Sequence, residues 1–162
     1  MDRESIDKKW DLIIAHPPCT YLTVSGNRWF NIDRYGGQAK QRIKDRDAGK
    51  DFFMKFVDAD CEHIAIENPI GYMNTHYMKP DCIIQPYEFG DTARKTTCLW
   101  LNHLPNLIPT NIVEPKLLHY TASNGKHITF SEDYCGKFNW NDADDRRRVR
   151  SKTYIGIAKA MA

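Results

Sequence analysis

Two short segments of this sequence set reactive side chains beside prolines. In His16-Pro17-Pro18-Cys19-Thr20 a cysteine follows an apolar run, and in Glu67-Asn68-Pro69 a carboxyl and an amide end another. A cysteine exposed near main-chain amides favours its thiolate, the nucleophile of covalent catalysis. A carboxyl flanked by Ile64, Ile66 and Ile70 can hold or deliver a proton to a reacting group. Taken singly, neither segment is specific. Cysteine is also a small apolar core residue, and Glu67 with Asn68 can simply finish a strand and open a turn.

The elements that must position these residues follow from hydrophobic spacing. Trp10 to Ala15 is a short apolar run without alternation, which reads as a strand covered on both faces and stopped by Pro17 and Pro18. Residues 19–38, with Gly26, Gly36 and Gly37, read as a long irregular loop. From about Gln38 to Asp60, Ile43, Phe52, Phe53, Phe56 and Val57 recur at helical spacing. His63 to Pro69 is a second apolar strand. Strand, helix and strand of this size predict a right-handed unit in a parallel sheet, where ligands bind at the carboxyl ends of the strands. Both proline-flanked segments fall at such ends. Further strands are expected at Cys82–Tyr87 and Thr96–Leu101. A hairpin is expected around Asn124-Gly125, between Leu118–Thr121 and His127–Phe130, and a helix, with or without a leading loop, from about Ala143 to Ala162. The length suits one α/β domain over 1–162 that buries a core without cross-links.

Composition narrows the setting. The five cysteines (Cys19, Cys61, Cys82, Cys98, Cys135) contain no C-x-x-C pair, so they announce neither a disulfide framework nor a paired-ligand zinc site. A zinc site assembled from Cys61, His63, His76 and Cys82 stays open, because distant residues can converge. No apolar run approaches bilayer length and the polar start Met1–Ser5 has no signal-like core, so the expectation is cytoplasmic, with no membrane partner. A net charge of +2 is too small to argue for nucleic acid by itself. Its distribution says more: Arg146, Arg147, Arg148, Arg150 and Lys152 crowd one stretch. They face phosphates, or they open a solvated helix behind Asp142, Asp144 and Asp145.

Together the two strand ends resemble the DNA (cytosine-5) methyltransferase family, with its cysteine in a proline-cysteine motif and its glutamate in a Glu-Asn motif. Gln85-Pro86-Tyr87-Glu88-Phe89-Gly90, running into Arg94-Lys95-Thr96-Thr97-Cys98-Leu99-Trp100-Leu101, resembles that family's later basic motif. Arg150-Ser151-Lys152-Thr153-Tyr154-Ile155-Gly156-Ile157-Ala158 is similar to its closing glycine-containing motif. The likeness runs from Trp10 to the C-terminus and is nearest the small methyltransferase-like proteins of phages and prophages, which implies a bacterial or phage-infected host cell. Amino-methyltransferases carry Asp, Asn or Ser before Pro-Pro and an aromatic residue after it; His16 and Cys19 stand at those places here.

The resemblance implies a partial Rossmann-like methyltransferase fold, a mostly parallel sheet flanked by helices, with DNA as partner and S-adenosylmethionine as cofactor. Cys19 would add to C6 of a flipped cytosine while Glu67 stabilises the adduct at N3, so that C5 can take a methyl group; flipping costs a few kcal/mol. Asn68, Arg94 and Lys95 complete the implied catalytic set, Arg94 and Lys95 bracing the catalytic loop or a phosphate unless they are merely exposed strand ends. Pro17, Pro18, Ile155 and Gly156 form one implied wall of a cofactor pocket. Thr20, Ser25 and Arg28 would meet DNA, on a loop whose Trp29, Phe30, Arg34 and Tyr35 close over the base, although Trp29 and Phe30 can equally pack on the domain. Arg146, Arg147 and Arg148, the hairpin at Gly125, Lys137 and Trp140 are the remaining DNA candidates.

The family pattern is broken in one place. Members begin with a strand, a glycine-rich turn and a helix that cradle the cofactor, whereas here nine residues without glycine precede Trp10. The expectation is an N-terminally truncated domain whose activity needs a missing segment or partner chain. A sheet lacking its first strands has a bare edge, which predicts a homo-oligomer or a complementary chain. From a different class, the competing expectation is a non-catalytic phage DNA-binding protein derived from a methyltransferase.

Overall fold

The structure is a computed structural model that describes residues 9–131 and 154–162. The chain divides into two compact units, Met1–Ile83 with Thr97–Asn106 and Ile84–Thr96 with Leu107–Ala162.

The first unit is built on a four-stranded sheet in the order β1-β2-β4-β3, with β1 at Leu12–Ala15, β2 at His63–Pro69, β3 at Cys82–Ile84 and β4 at Thr97–Asn102. β1 and β2 run parallel, Leu12 opposite His63 and Ala15 opposite Ile66, and the long helix α1 (Ile32–Val57) lies between them in sequence. The predicted strand–helix–strand unit is therefore present. β4 pairs with β2 antiparallel, Ile64 opposite Asn102 and Pro69 opposite Thr97, so the sheet is mixed and not mostly parallel as expected. The reason lies in the connections. A parallel neighbour needs a crossover of a dozen residues or more, generally a helix. Beyond β2 the chain has only the four-residue helix α2 (Met73–His76) before β3, and no helix long enough to cross the sheet before β4.

The core forms where α1 meets the sheet. Phe53 and Phe56 of α1, Ile64 and Ile66 of β2, Cys98 and Trp100 of β4, Ala15, Leu22 and Met73 pack into one buried cluster. Phe53 and Trp100 meet edge to face at 5.2 Å, a ring geometry that adds about 1 kcal/mol to simple burial. The central strands β2 and β4 are covered on both faces, as their unbroken apolar runs require. β1 corrects that expectation. It is an edge strand with Leu12 and Ile14 exposed, and only Ile13 and Ala15 face the core.

The irregular loop expected over 19–38 is instead largely helical. A 3-10 helix occupies Val24–Phe30, and α1 already begins at Ile32, where the Asn31 side chain accepts from the Arg34 amide at 2.8 Å as a cap. Gly36, at φ 50°, takes a non-helical conformation that glycine adopts at little cost, and it divides the run into two helices joined at a kink. Read from sequence, the same glycine signals a loop.

In the second unit, β5 (Leu117–Thr121) and β6 (His127–Ser131) form the expected antiparallel hairpin, with Gly125 at φ 78° in its turn. Pro86–Glu88 is a 3-10 turn where strand was expected to continue to Tyr87; the Glu88 carboxylate accepts from the Gln85 amide and closes the turn. The final helix α3 spans Ile155–Met161. Lys137, Trp140, Arg146, Arg147, Arg148 and the other candidates between 132 and 153 lie outside the described residues.

Candidate functional site at the ends of two parallel strands

The register of β1 on β2 decides what meets at their carboxyl ends. With Ala15 opposite Ile66, the next residues along each strand are His16 and Glu67, then Pro17 and Asn68. Both pairs are in contact. His16 Nδ1 lies 3.2 Å from Glu67 Oε2, and Asn68 Nδ2 donates to the Pro17 carbonyl at 2.9 Å. The two proline-flanked segments, 51 residues apart in sequence, are thus tied to each other.

Asn68 is the scaffold of this rim. It is 1% exposed, its amide nitrogen fixes the segment leading to Cys19, and its Oδ1 is buried without a hydrogen-bond partner among the described residues. Glu67 is different: its side chain keeps 21% exposure, so one carboxylate oxygen can turn to His16 while the group remains reachable from solvent. Pro17 is buried; Pro18, Cys19 and Thr20 are exposed. The Cys19 carbonyl accepts from the amides of both Leu22 and Thr23 at 3.0 Å, so the nucleophile candidate opens a tight turn whose far end is pinned by the buried Leu22.

A second set of main-chain bonds fastens this turn to the segment after β2. The Tyr72 amide donates to the Leu22 carbonyl at 2.7 Å and the Val24 amide to the Ile70 carbonyl at 3.3 Å, with Thr23 and Gly71 paired between them. The backbones approach so closely that a Cβ on Gly71 would overlap the Leu22 carbonyl oxygen. Only glycine fits there. Cys19 and Glu67 are therefore held by one laced framework and not by two independent loops.

The other expected site residues are distributed less tightly. Thr20 gives its carbonyl to Arg42 Nη2 at 3.3 Å, Ser25 Oγ lies 3.4 Å from Thr23 Oγ1, and the exposed Arg28 guanidinium sits 4.6 Å above the Trp29 ring. Trp29 packs against Tyr35 at 4.9 Å, whereas Phe30 is only partly exposed and lies against arginines of α1. Arg94 and Lys95 belong to the second unit. There Arg94 donates from its main chain to Ser131 Oγ at 3.1 Å and from Nη2 to the Thr129 carbonyl, and the Lys95 ammonium lies 5.8 Å from the Tyr154 ring centre.

Of the four residues expected to wall a cofactor pocket, Pro17 and Pro18 belong to the first unit and Ile155 and Gly156 to the second. Pro17 is buried with its carbonyl engaged by Asn68. Gly156 needs to be glycine because a Cβ there would overlap the Phe89 carbonyl oxygen, and its amide donates to Asp91 Oδ2 at 3.2 Å. The zinc alternative is not assembled: among the described residues no three His, Cys, Asp or Glu side chains converge as metal ligands, and the Cys61 thiol points at the carbonyls of Trp10 and His63. Among the described residues no helix is long and apolar enough to cross a membrane.

The sequence reading did not single out His16 as a partner of Glu67, nor Arg42, Arg46 and Tyr72 as neighbours of the Cys19 turn. The signal for His16 was present. Aligning the two strand ends on their prolines places it beside the glutamate. Comparisons with family models, with curated proteins and with solved structures found no match.

Proposed function

We propose that this chain is the catalytic portion of a DNA (cytosine-5) methyltransferase, with a partial Rossmann-like arrangement around Cys19 and Glu67. One observation carries the reading. The proline-cysteine segment and the Glu-Asn segment finish adjacent parallel strands and are bonded to each other through Asn68–Pro17 and His16–Glu67. Ligands of α/β sheets are bound at such ends.

The chemistry assigned to these groups is conjugate addition to a cytosine ring. The Cys19 thiolate forms a bond to C6, the C5–C6 π pair shifts to C5–C4, and the C4–N3 pair moves onto N3, which takes a proton from Glu67. Carbon C5 is then an enamine carbon able to attack an electrophile. When C5 instead takes a proton from water, loss of a proton from C5, return of the N3 proton to Glu67 and expulsion of Cys19 restore the ring. His16, on the second carboxylate oxygen, holds the orientation of Glu67. In the resembled family S-adenosylmethionine supplies the methyl group that C5 takes.

The addition step is testable without the methyl donor. Duplex DNA incubated with the protein in deuterium oxide should acquire deuterium at cytosine C5, read by mass spectrometry of the released nucleosides. Cys19→Ser should abolish the exchange and Glu67→Gln should slow it at least about a hundredfold, the usual scale for losing an acid–base group. Exchange that persists in Cys19→Ser sinks the assignment. DNA binding by the wild type without any exchange would instead favour a non-catalytic DNA-binding protein.

A further inference from the structure

The addition chemistry leaves unused an alternating column of rings and guanidinium groups in the first unit. Arg42 Cζ lies 4.9 Å from the Tyr21 ring centre and 5.1 Å from that of Phe30. Arg46 Cζ lies 4.4 Å from Phe30 and 4.3 Å from Tyr72. His76 closes the column, stacked on Tyr72 at 3.5 Å with 13° between the planes. The two arginines are four residues apart on α1 and so project from one side of the helix.

Their hydrogen bonding is incomplete. A guanidinium carries five N–H donors. Among the described residues Arg42 uses one, to the Thr20 carbonyl at 3.3 Å, and Arg46 uses none. Both Nε–H groups are buried without an acceptor among the described residues. Neither arginine has a carboxylate within 4.0 Å among the described residues; the ion pairs there are His16–Glu67 and Lys50–Asp51. Two half-buried cations side by side repel each other and lose hydration, a cost ordinarily offset by a counter-charge. The rings cannot supply it. They meet the guanidinium groups by cation–π contact and offer no acceptor, so the remaining N–H donors have none among the described residues. The group that answers an arginine edge is an oxyanion with several acceptors in one plane, and phosphate is the common case.

Position names the source. Arg42 holds the carbonyl of Thr20, the residue after Cys19, and Arg46 contacts Tyr72, whose amide is part of the lacing that joins the two strand-end loops. We propose that Arg42 and Arg46 form a phosphate seat, taking the backbone of a polynucleotide strand beside the Cys19 turn. The seat rests on the reading of the strand ends as a nucleic-acid site, and it adds residues which that reading did not include. The stacked rings hold both guanidinium groups in place before the strand arrives, so little side-chain freedom is lost on binding.

The test uses the full chain. The Nε–H resonances of Arg42 and Arg46, assigned by their loss in Arg42→Lys and Arg46→Lys, are followed during titration with a short single-stranded oligonucleotide and, separately, with inorganic phosphate. Both resonances should shift with the oligonucleotide at a phosphate concentration where free phosphate leaves them in place. Arg46→Met, whose melting curve reports folding, should bind the oligonucleotide roughly fivefold more weakly at low salt and lower the log–log salt slope by roughly 0.7, the value of one single-strand phosphate. Resonances that stay put under saturating oligonucleotide overturn the seat. Equal shifts with free phosphate overturn its assignment to a polynucleotide. Failure of the underlying reading looks different: Cys19-dependent exchange at cytosine C5 would be missing while the arginine resonances still respond to the strand.

Discussion

The interior of the four-stranded sheet and the rim where β1 and β2 finish share the same strands, yet they treat the same residue types in opposite ways. In the interior Cys98, opposite Asn68 on β4, has no measurable exposure. Burial pushes its thiol up from 9.0, the charges of Glu67 and Cys82 add to the rise, and only the Asn74 amide at 3.5 Å opposes it. At the rim Cys19 is exposed in a main-chain turn and Glu67 keeps contact with solvent. One cysteine is packing material and the other is available to a reagent. What separates them is position relative to a strand end: a side chain beyond the last ladder bond escapes the second layer that covers the strand itself.

The largest effect should come from the interior. Phe53→Ala removes a ring with no exposure that touches both Trp100 and Tyr77, and a cavity of that size costs about 3–5 kcal/mol. Chemical denaturation should place the loss in that range. A loss under about 1 kcal/mol would mean that the buried cluster is not the main source of stability, and the contrast between interior and rim would fail. The next effect belongs to the rim's own scaffold. Asn68→Ala leaves the Pro17 carbonyl without its buried donor, which costs about 1–3 kcal/mol and frees the segment before Cys19. Because the lacing of Leu22 to Tyr72 is untouched, the variant should remain folded, and alkylation of Cys19 should change in rate while that of Cys98 stays slow. Unchanged stability in this variant would show that the strand ends are held by the lacing alone.

How much of this was legible in the sequence depends on what each signal encodes. Trp10 to Ala15 and His63 to Pro69 announced strands because apolar runs closed by proline have few other solutions, and their parallel pairing followed from the helix between them. The hairpin was readable from Asn124-Gly125, where positive φ is needed and supplied. The direction of β4 was not readable, because nothing in Thr97–Asn102 states which way a fully buried strand runs. Gly36 misled for a physical reason: one φ value serves a loop and a helix bend alike. At the site, Cys19, Glu67 and Asn68 were visible through their prolines. Arg42 and Arg46 were not, since arginines spaced four apart on a helix ordinarily mark a solvated face, and only the fold brings Tyr21, Phe30 and Tyr72 around them.

The smallest expected effect bears most directly on the two cysteines. A thiol whose value is raised in the folded state binds its proton there at pH values where the unfolded chain has released it. Stability from this source is complete below the ordinary value of 9.0 and is lost as pH climbs through the higher folded value. Tyr77, raised from 10.0 first by burial and then by Asp81 and Asp58, acts in the same sense at higher pH. Unfolding free energy measured between pH 8 and pH 10 should therefore fall with pH, with Cys98 supplying at most about 1.4 kcal/mol per pH unit, the limit for one proton. Cys98→Ser, which keeps an acceptor for Asn74 but does not ionise in this range, should flatten the fall, whatever it does to stability at neutral pH. If Cys98→Ser left the fall unchanged, burial of its thiol would not be what couples the interior to pH, and the contrast drawn for the interior cysteine would fail.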